Sequence, residues 1–526
     1  MRALAAALAL GREEAGTLAF GGVVSRTLGG GRYASVDLDW WPTDGHDGDW
    51  VGMNALDLDL KNAALQEAAR ALGPGLLRIG GSMDTTVRYA FQEDEAWCRE
   101  PRQWRGISNA LCLTAQRYDS LHAFAAQAGL QVVFGLNWQG VSGDSFAHSP
   151  GVGGDSGVDG APAAVPRFPA VGDSWTVPFW NSTGALALLR HSYERGHALF
   201  AVELGEELDP PPDTASFRNL VDGYKQLRLA LDSIWKDDVK KPLLLGPCVG
   251  MADESGGNAS CWPSCDASAF VTHFLEATAG LIDGVCMHSY NNDGGQGWRR
   301  PGFVSQTYRQ AAAMLAAAQS AAGAPLWCGE CGPRNGGGVE NVTDRFISSF
   351  WYADALASLA RLGLVEFGRQ SLVGGHYALL DADFQPNPDL YVGILWKRLV
   401  GTAVLNASLI LNSKEDASKD VHAYAHCGRA DGAANVVVVI VNISPSTFLF
   451  TSDLFRLGGK GWTLTGPFGF FSKSVALNGD ALKSVSDAVS AKGAELTPAA
   501  PLRVPPYSIG FATFPIGKDH PLHGAC

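Results

Sequence analysis

From residue 33 to residue 400, short apolar segments alternate with longer amphipathic stretches. That is the pattern a parallel sheet wrapped by helices writes into a sequence. Eight segments read as strands: Tyr33 to Asp39, Leu76 to Ile79, Val132 to Leu136, Leu199 to Leu204, Pro242 to Gly246, Ile282 to His288, Pro325 to Cys328 and Leu364 to Arg369. Alanine-rich runs such as Ala311 to Ala321 and Phe350 to Leu362 lie between them and favour helix. Eight repeats predict an α/β fold, a closed (β/α)8 TIM barrel over residues 33–400. Past residue 400 the pattern changes to strands bounded by Gly, Asn and Ser: Val421 to Cys427, Asn435 to Asn442, Gly461 to Thr465 and Ser508 to Phe514. These predict a C-terminal β-sandwich domain over residues 401–526. Residues 1–32 are read as a leader followed by a strand, Thr17 to Arg26, that joins the sandwich. Residues 139–174, rich in Gly, Pro, Ser and Ala without periodicity, read as a long loop after the third barrel strand, on the face where barrels carry their sites.

Size and composition agree with one large domain and a smaller one: 526 residues, 46% hydrophobic, 18% charged, with 15 Trp. A formal charge of -13 and the absence of long basic runs argue against nucleic acid and other polyanionic partners. No apolar run approaches the roughly 18 residues that span a bilayer, so no integral membrane segment is expected. Met1-Arg2 followed by Ala3 to Leu10 has the charge order of a short signal peptide, with Glu13-Glu14 close behind. Asn-X-Ser/Thr triplets begin at Asn181, Asn258, Asn341, Asn406 and Asn442. A secreted, extracellular or cell-wall glycoprotein is the expectation, with a lysosomal or vacuolar destination as the alternative. The ten cysteines fit an oxidising compartment. Pairs Cys98 with Cys112 and Cys427 with Cys526 are expected, and Cys261 with Cys265 would close a small loop.

Catalytic residues of such barrels sit at the C-terminal ends of the strands. Two endings carry glutamate: the fourth strand runs through Glu203 to Glu206-Glu207, and the seventh ends at Glu330. Two opposed carboxylates can flank a glycosidic bond, and a separation of about 5 to 5.5 Å permits retaining hydrolysis through a covalent intermediate. Two glutamates at strand ends are equally compatible with surface loops.

Further motifs weigh on that choice. Ser35 to Pro42, Leu77 to Ser82, Phe134 to Asn137, Glu203 to Leu208, His288 to Asn291, Trp327 to Glu330, Arg369 to Tyr377 and Pro386 to Asp389 occur in an order and at spacings similar to those of plant-type heparanase-like β-glucuronidases, glycoside hydrolase family 79. The resemblance covers most of the chain and implies a (β/α)8 barrel with a β-sandwich. It implies Glu207 as acid/base and Glu330 as nucleophile. It places His288, Tyr290, Asp39, Ser82 and Asn137 around the sugar, and Tyr377 with Gly336 and Gly337 around a uronate carboxylate. Glycine N–H groups and a phenol suit that last task without a full positive charge. The implied partner is a carbohydrate containing glucuronic acid, with no cofactor and no metal. The alternative is a non-catalytic or weakly active carbohydrate-binding glycoprotein on the same fold.

The chain departs from the family where Glu206 replaces the Asn that precedes the acid/base, and where Asn335 replaces a Tyr. An ionised Glu accepts but cannot donate, so the contact of Glu206 with the sugar changes character. Trp327-Cys328-Gly329-Glu330-Cys331 has a thioredoxin-like spelling, but loop residues Gly332 to Gly336 follow where a redox motif opens a helix. The spacing of these cysteines to Cys261 and Cys265 is not diagnostic of zinc.

Overall fold

A computed structural model describes residues 13–41, 50, 52–91, 95–99, 102–104, 107–109, 111–138, 177–236, 239–250, 267–291, 303–411, 420–429 and 434–526. The expected loop at 139–174, the Cys261–Cys265 pair and Asn258 lie outside the described residues.

Strand β1 spans Glu13–Arg26. Eight parallel strands then close into a barrel: β2 (Ala34–Asp39), β3 (Gly75–Gly80), β4 (Leu130–Leu136), β5 (Leu199–Leu204), β6 (Leu243–Gly250), β7 (Gly284–Tyr290), β8 (Leu326–Gly332) and β9 (Glu366–Arg369). Each is followed by a helix of the outer ring: α1 (Ala63–Leu72), α2 (Ala115–Gln127), α3 (Thr183–Arg195), α4 (Ala215–Trp235), α5 (Ala267–Ala277), α6 (Gln306–Ala322), α7 (Phe346–Leu362) and α8 (Pro388–Leu399). Local chemistry sets the ends of these helices. Asn62, Thr114 and Thr214 accept from first-turn N–H groups of α1, α2 and α4. Gly196, Gly323 and Gly363 close α3, α6 and α7 in the left-handed conformation.

Burial of both sheet faces explains why the barrel strands read as nearly continuous apolar runs. Leu76, Val133, Ala201, Leu245 and Trp327 form an apolar layer low in the barrel. Above it, toward the strand ends, the interior turns polar: Asp37, Arg78, Glu203, His288 and Glu330 are all buried. An apolar floor beneath charged groups marks that end as the place for chemistry.

The C-terminal domain is built from β10 (Val400–Leu411), β11 (Val421–Gly428), β12 (Asn435–Asn442), β13 (Thr447–Thr451), β14 (Gly459–Thr465) and β15 (Ser508–Pro515), with shorter strands beside them. Hydrogen bonds run without interruption through eleven strands, so the layers belong to a single sheet folded over its own core. β1 makes the join, pairing antiparallel with β10 and parallel with β13. From β1, Leu18 shares one apolar cluster with Leu405, Ile440, Phe448 and Phe514. The opposite face of the sheet, through Val437, Val439, Ile509 and Phe511, joins the apolar cluster of the barrel helices.

Cys98 pairs with Cys112 and Cys427 with Cys526. A third pair, Cys328 with Cys331, was not expected. Regular alternation puts residues three apart on opposite faces, but Met287 and His288 stand opposite Cys328 and Glu330, so Gly329 is an extra residue in β8. The bulge returns Cys331 to the face of Cys328 and leaves Glu330 on the other. Among the five sequons, Asn442 is a correction. It is fully buried and its amide donates to Ser446 O and Pro505 O, which is incompatible with a glycan.

Candidate active site

Arg78, the central residue of the site, was not among the residues singled out from the sequence. It rises from the middle of β3 into the barrel and donates to three carboxylates: Nε to Glu203 Oε2 at 2.8 Å, Nη2 to Glu206 Oε2 at 2.7 Å and Nη1 to Glu330 Oε2 at 2.8 Å. One fully buried cation thus anchors the ends of β5 and β8. Its position inside the otherwise apolar segment Leu76 to Ile79 was the signal available in the sequence, and Glu203 carried the same signal in β5.

Glu330 accepts a second hydrogen bond, from Tyr290 Oη on β7. Burial alone would raise its pKa, but the positive charges of His288 and Arg78 and the Tyr290 hydrogen bond prevail and hold it at about 2. This carboxylate is anionic across the ordinary pH range. Burial pushes the Tyr290 phenol well up and the charge of Glu330 reinforces the shift, so it remains a donor.

Glu206 and Glu207 follow the end of β5, where strict alternation would send them to opposite sides. Gly205 and Glu207 both adopt positive φ, 71° and 50°, which breaks the alternation. Both glutamates consequently reach the same imidazole nitrogen, with His288 Nδ1 3.4 Å from Glu206 Oε1 and 3.2 Å from Glu207 Oε1. Their surroundings differ, since the Glu207 side chain is 20% exposed and that of Glu206 only 3%. Burial, with further contributions from Glu330 and Asp84, holds Glu206 well above the usual carboxylate range against the pull of Arg78 and His288. His288 is itself held well above the ordinary histidine range, because the charges of Glu206 and Glu330 outweigh the desolvation that opposes them. Asp209, two residues after Glu207 and also unanticipated, is raised to about 8 by burial and by the Glu207 charge.

On the other side of Glu330, Asp39 at the end of β2 accepts from Trp41 N and from Gln370 Nε2, each at 2.8 Å. Burial, then the nearby Glu330, raises Asp39 to about 7. Gln370 also donates to Tyr377 Oη at 3.2 Å, so one amide links Asp39 with Tyr377. The Tyr377 ring stacks on Tyr290 with centroids 6.4 Å apart and meets Trp50 edge-on at 6.1 Å. Gly336 and Gly337 turn at positive φ in the segment after β8, and Gly375 packs so close to Gly337 that a Cβ there would lie 2.8 Å from its carbonyl oxygen. The glycine turn and the segment that carries Tyr377 are therefore neighbours. Ser82, half-buried, opens the short 3-10 turn that follows β3. Asn137 is committed to the framework: its N–H donates to Tyr89 Oη at 2.8 Å and its side-chain amide to Val87 O.

The (β/α)8 barrel with a folded sheet beside it places the chain in the architectural class of the barrel glycoside hydrolases. A solved structure of the same fold, titled as a 4-O-alpha-L-rhamnosyl-beta-D-glucuronidase from Fusarium oxysporum 12S, matches with a TM-score of 0.59 at 12% identity, over 95% of this chain and 100% of that one. The family model described as "Glycosyl hydrolase family 79, N-terminal domain" matches residues 19–157 and 167–357, and the chain belongs to that family. Heparanase-like protein 1 from Arabidopsis thaliana is 28% identical over 431 residues, 78% of this chain and 70% of the relative. Baicalin-beta-D-glucuronidase from Scutellaria baicalensis is 26% identical over 518 residues, 92% of this chain and 89% of the relative.

Proposed function

We propose that the protein is a retaining β-glucuronidase with Glu330 as nucleophile and Glu207 as acid/base. The observation that carries this reading is the contrast between two carboxylates on either side of His288. Glu330 is clamped as an anion by Arg78 and Tyr290, whereas Glu207 is partly exposed and stands outside the guanidinium network. In the first step Glu330 attacks the anomeric carbon while Glu207 gives its proton to the leaving glycosidic oxygen. In the second, Glu207 takes a proton from water, whose oxygen attacks the anomeric carbon and releases Glu330. Gly336, Gly337 and Tyr377 receive the uronate carboxylate, Asp39, Ser82 and Glu206 line the sugar, and Asn137 ties the end of β4 to Val87 and Tyr89. The net charge of -13 favours small or arabinogalactan-type glucuronides over densely sulfated chains. The disulfides and the exposed sequons at Asn181, Asn341 and Asn406 support a secreted glycoprotein.

Release of chromophore from an aryl β-glucuronide, abolished in Glu330→Gln, tests the reading, and proton NMR of the first-formed anomer tests retention. One observation favours a second reading, a sugar-binding protein with little turnover: Glu206 adds a buried carboxylate beside the nucleophile. Saturable glucuronide binding without hydrolysis would support it.

A further inference from the structure

On the outside of the barrel, away from the glutamates, two imidazoles converge on one carboxylate oxygen. His191 Nε2 of α3 and His197 Nε2, just before β5, each lie 2.7 Å from Asp119 Oδ1 of α2. The three ligand atoms lie within 4.8 Å of one another. We propose that Asp119, His191 and His197 form a binding site for a divalent transition ion of the zinc type, which staples α2 and α3 to the entry of β5.

The donor set is the first support. Two imidazole nitrogens and a carboxylate oxygen are the ligand types zinc takes, and three protein ligands leave a position for water. Side-chain exposures of 23% for His191, 14% for His197 and 26% for Asp119 give that position access to solvent. Zinc bonds of about 2.0–2.1 Å set ligand atoms roughly 3.3 Å apart, so the two contacts must open by only about 0.6 Å.

Orientation is the second support. A metal-binding imidazole needs its ring fixed by surrounding groups. His197 stacks on the buried His122 with centroids 4.2 Å apart and planes 12° from parallel, and Tyr118 meets it edge-on at 5.5 Å. His191 is held edge-on against Phe91 at 5.2 Å. The carboxylate is oriented too, because Arg195 Nη2 donates to Asp119 Oδ2 at 3.1 Å and leaves Oδ1 turned toward the imidazoles. Metal binding replaces the two contacts to Oδ1, and each neutral imidazole then carries its proton on Nδ1.

The test is zinc chloride titration of the full chain after chelator dialysis, followed by calorimetry and by thermal unfolding. One equivalent should bind and raise Tm by a few degrees. His191→Ala and the size-conserving His197→Gln should each weaken that binding by about tenfold or more and remove the Tm rise, with glucuronidase activity retained. A Tm rise that persists in both variants, or vanishes only in His288→Ala, would put the ion elsewhere and overturn the proposal. Absence of zinc binding by the wild-type chain would overturn it as well.

Discussion

Arg78 Nη1 and Glu330 Oε2 stand 2.8 Å apart in the barrel interior, and the same guanidinium holds Glu203 and Glu206 through its other nitrogens. A planar fork of donors can satisfy three carboxylates at once, which an ammonium on a flexible stem cannot. Arg78→Lys is therefore expected to lower kcat on the order of 100-fold, the cost typical of losing one preorganised stabilising donor. Arg78→Ala should in addition cost about 3 kcal/mol or more of stability, since it leaves buried charges without their partner. Steady-state kinetics on an aryl glucuronide and urea unfolding check the two parts separately. Unchanged kcat in Arg78→Lys would show that the pairing serves the fold alone.

Tyr290 donates to the other oxygen of Glu330, the proposed nucleophile. Removing its hydroxyl in Tyr290→Phe deletes a hydrogen bond to a charged acceptor, a contact that contributes about 1.5–3 kcal/mol, so kcat should fall roughly 10- to 100-fold. The lost donor had favoured the ionised carboxylate, so the pKa of Glu330 should rise and the acidic limb of the pH–rate profile should move to higher pH. A fall in kcat without that movement would assign Tyr290 to substrate contact instead.

Asp39 offers a test by stability. Its folded pKa is raised to about 7, above the unfolded value near 3.8. Between those values the folded chain holds more protons than the unfolded one, so this group makes stability fall as pH rises from about 4 to 7. A rise of that size corresponds to about 4 kcal/mol as an upper figure. Asp39→Asn should then be more stable than wild type at pH 7 and equal to it at pH 4, measured by urea unfolding at both. Equal stability at pH 7 would mean that Asp39 is ionised at no cost.

The barrel was legible because its signal is periodic and repeated: all eight segments recur as parallel strands, and Phe350 to Leu362 falls within α7. What stayed hidden depends on breaks in period or on partners distant in sequence. The pairing of Cys328 with Cys331 follows from one extra residue, Gly329, which no count of alternation anticipates. Arg78 reads as one residue of a strand motif because the three glutamates around it lie 125 to 252 residues away in the chain. Glu207 and Glu330 stood out because strand ends are where barrel chemistry gathers, while Gln370 and Asp209 carried no pattern of their own. The sandwich expected beyond residue 400 recurs as layers over one core, and only the hydrogen bonds that join those layers into a single folded sheet go unreported by the strands' own patterns.

Glu206 is one of two positions at which the chain differs from the family pattern its motifs resemble, and its geometry sets the sign of the consequence. The carboxylate is buried, 2.7 Å from Arg78 Nη2 and 3.4 Å from His288 Nδ1. Burial holds its pKa well above the usual range, so it is protonated in acid and loses that proton as pH rises. When protonated it can donate a hydrogen bond, as an Asn at this place would. Once ionised it only accepts, adds negative charge beside Glu330 and opposes a uronate in the site. The expected profile is an acidic optimum with weak activity near neutrality, in a titration shared with the neighbouring carboxylates. Glu206→Asn should raise kcat/KM and flatten the decline toward pH 7, while Glu206→Asp, still ionisable, should keep it. Parallel pH–kcat/KM profiles of the three proteins decide the matter. If Glu206→Asn is less active at every pH, the ion pair with Arg78 matters more than the charge it brings, and the residue supports the anchor of Glu330.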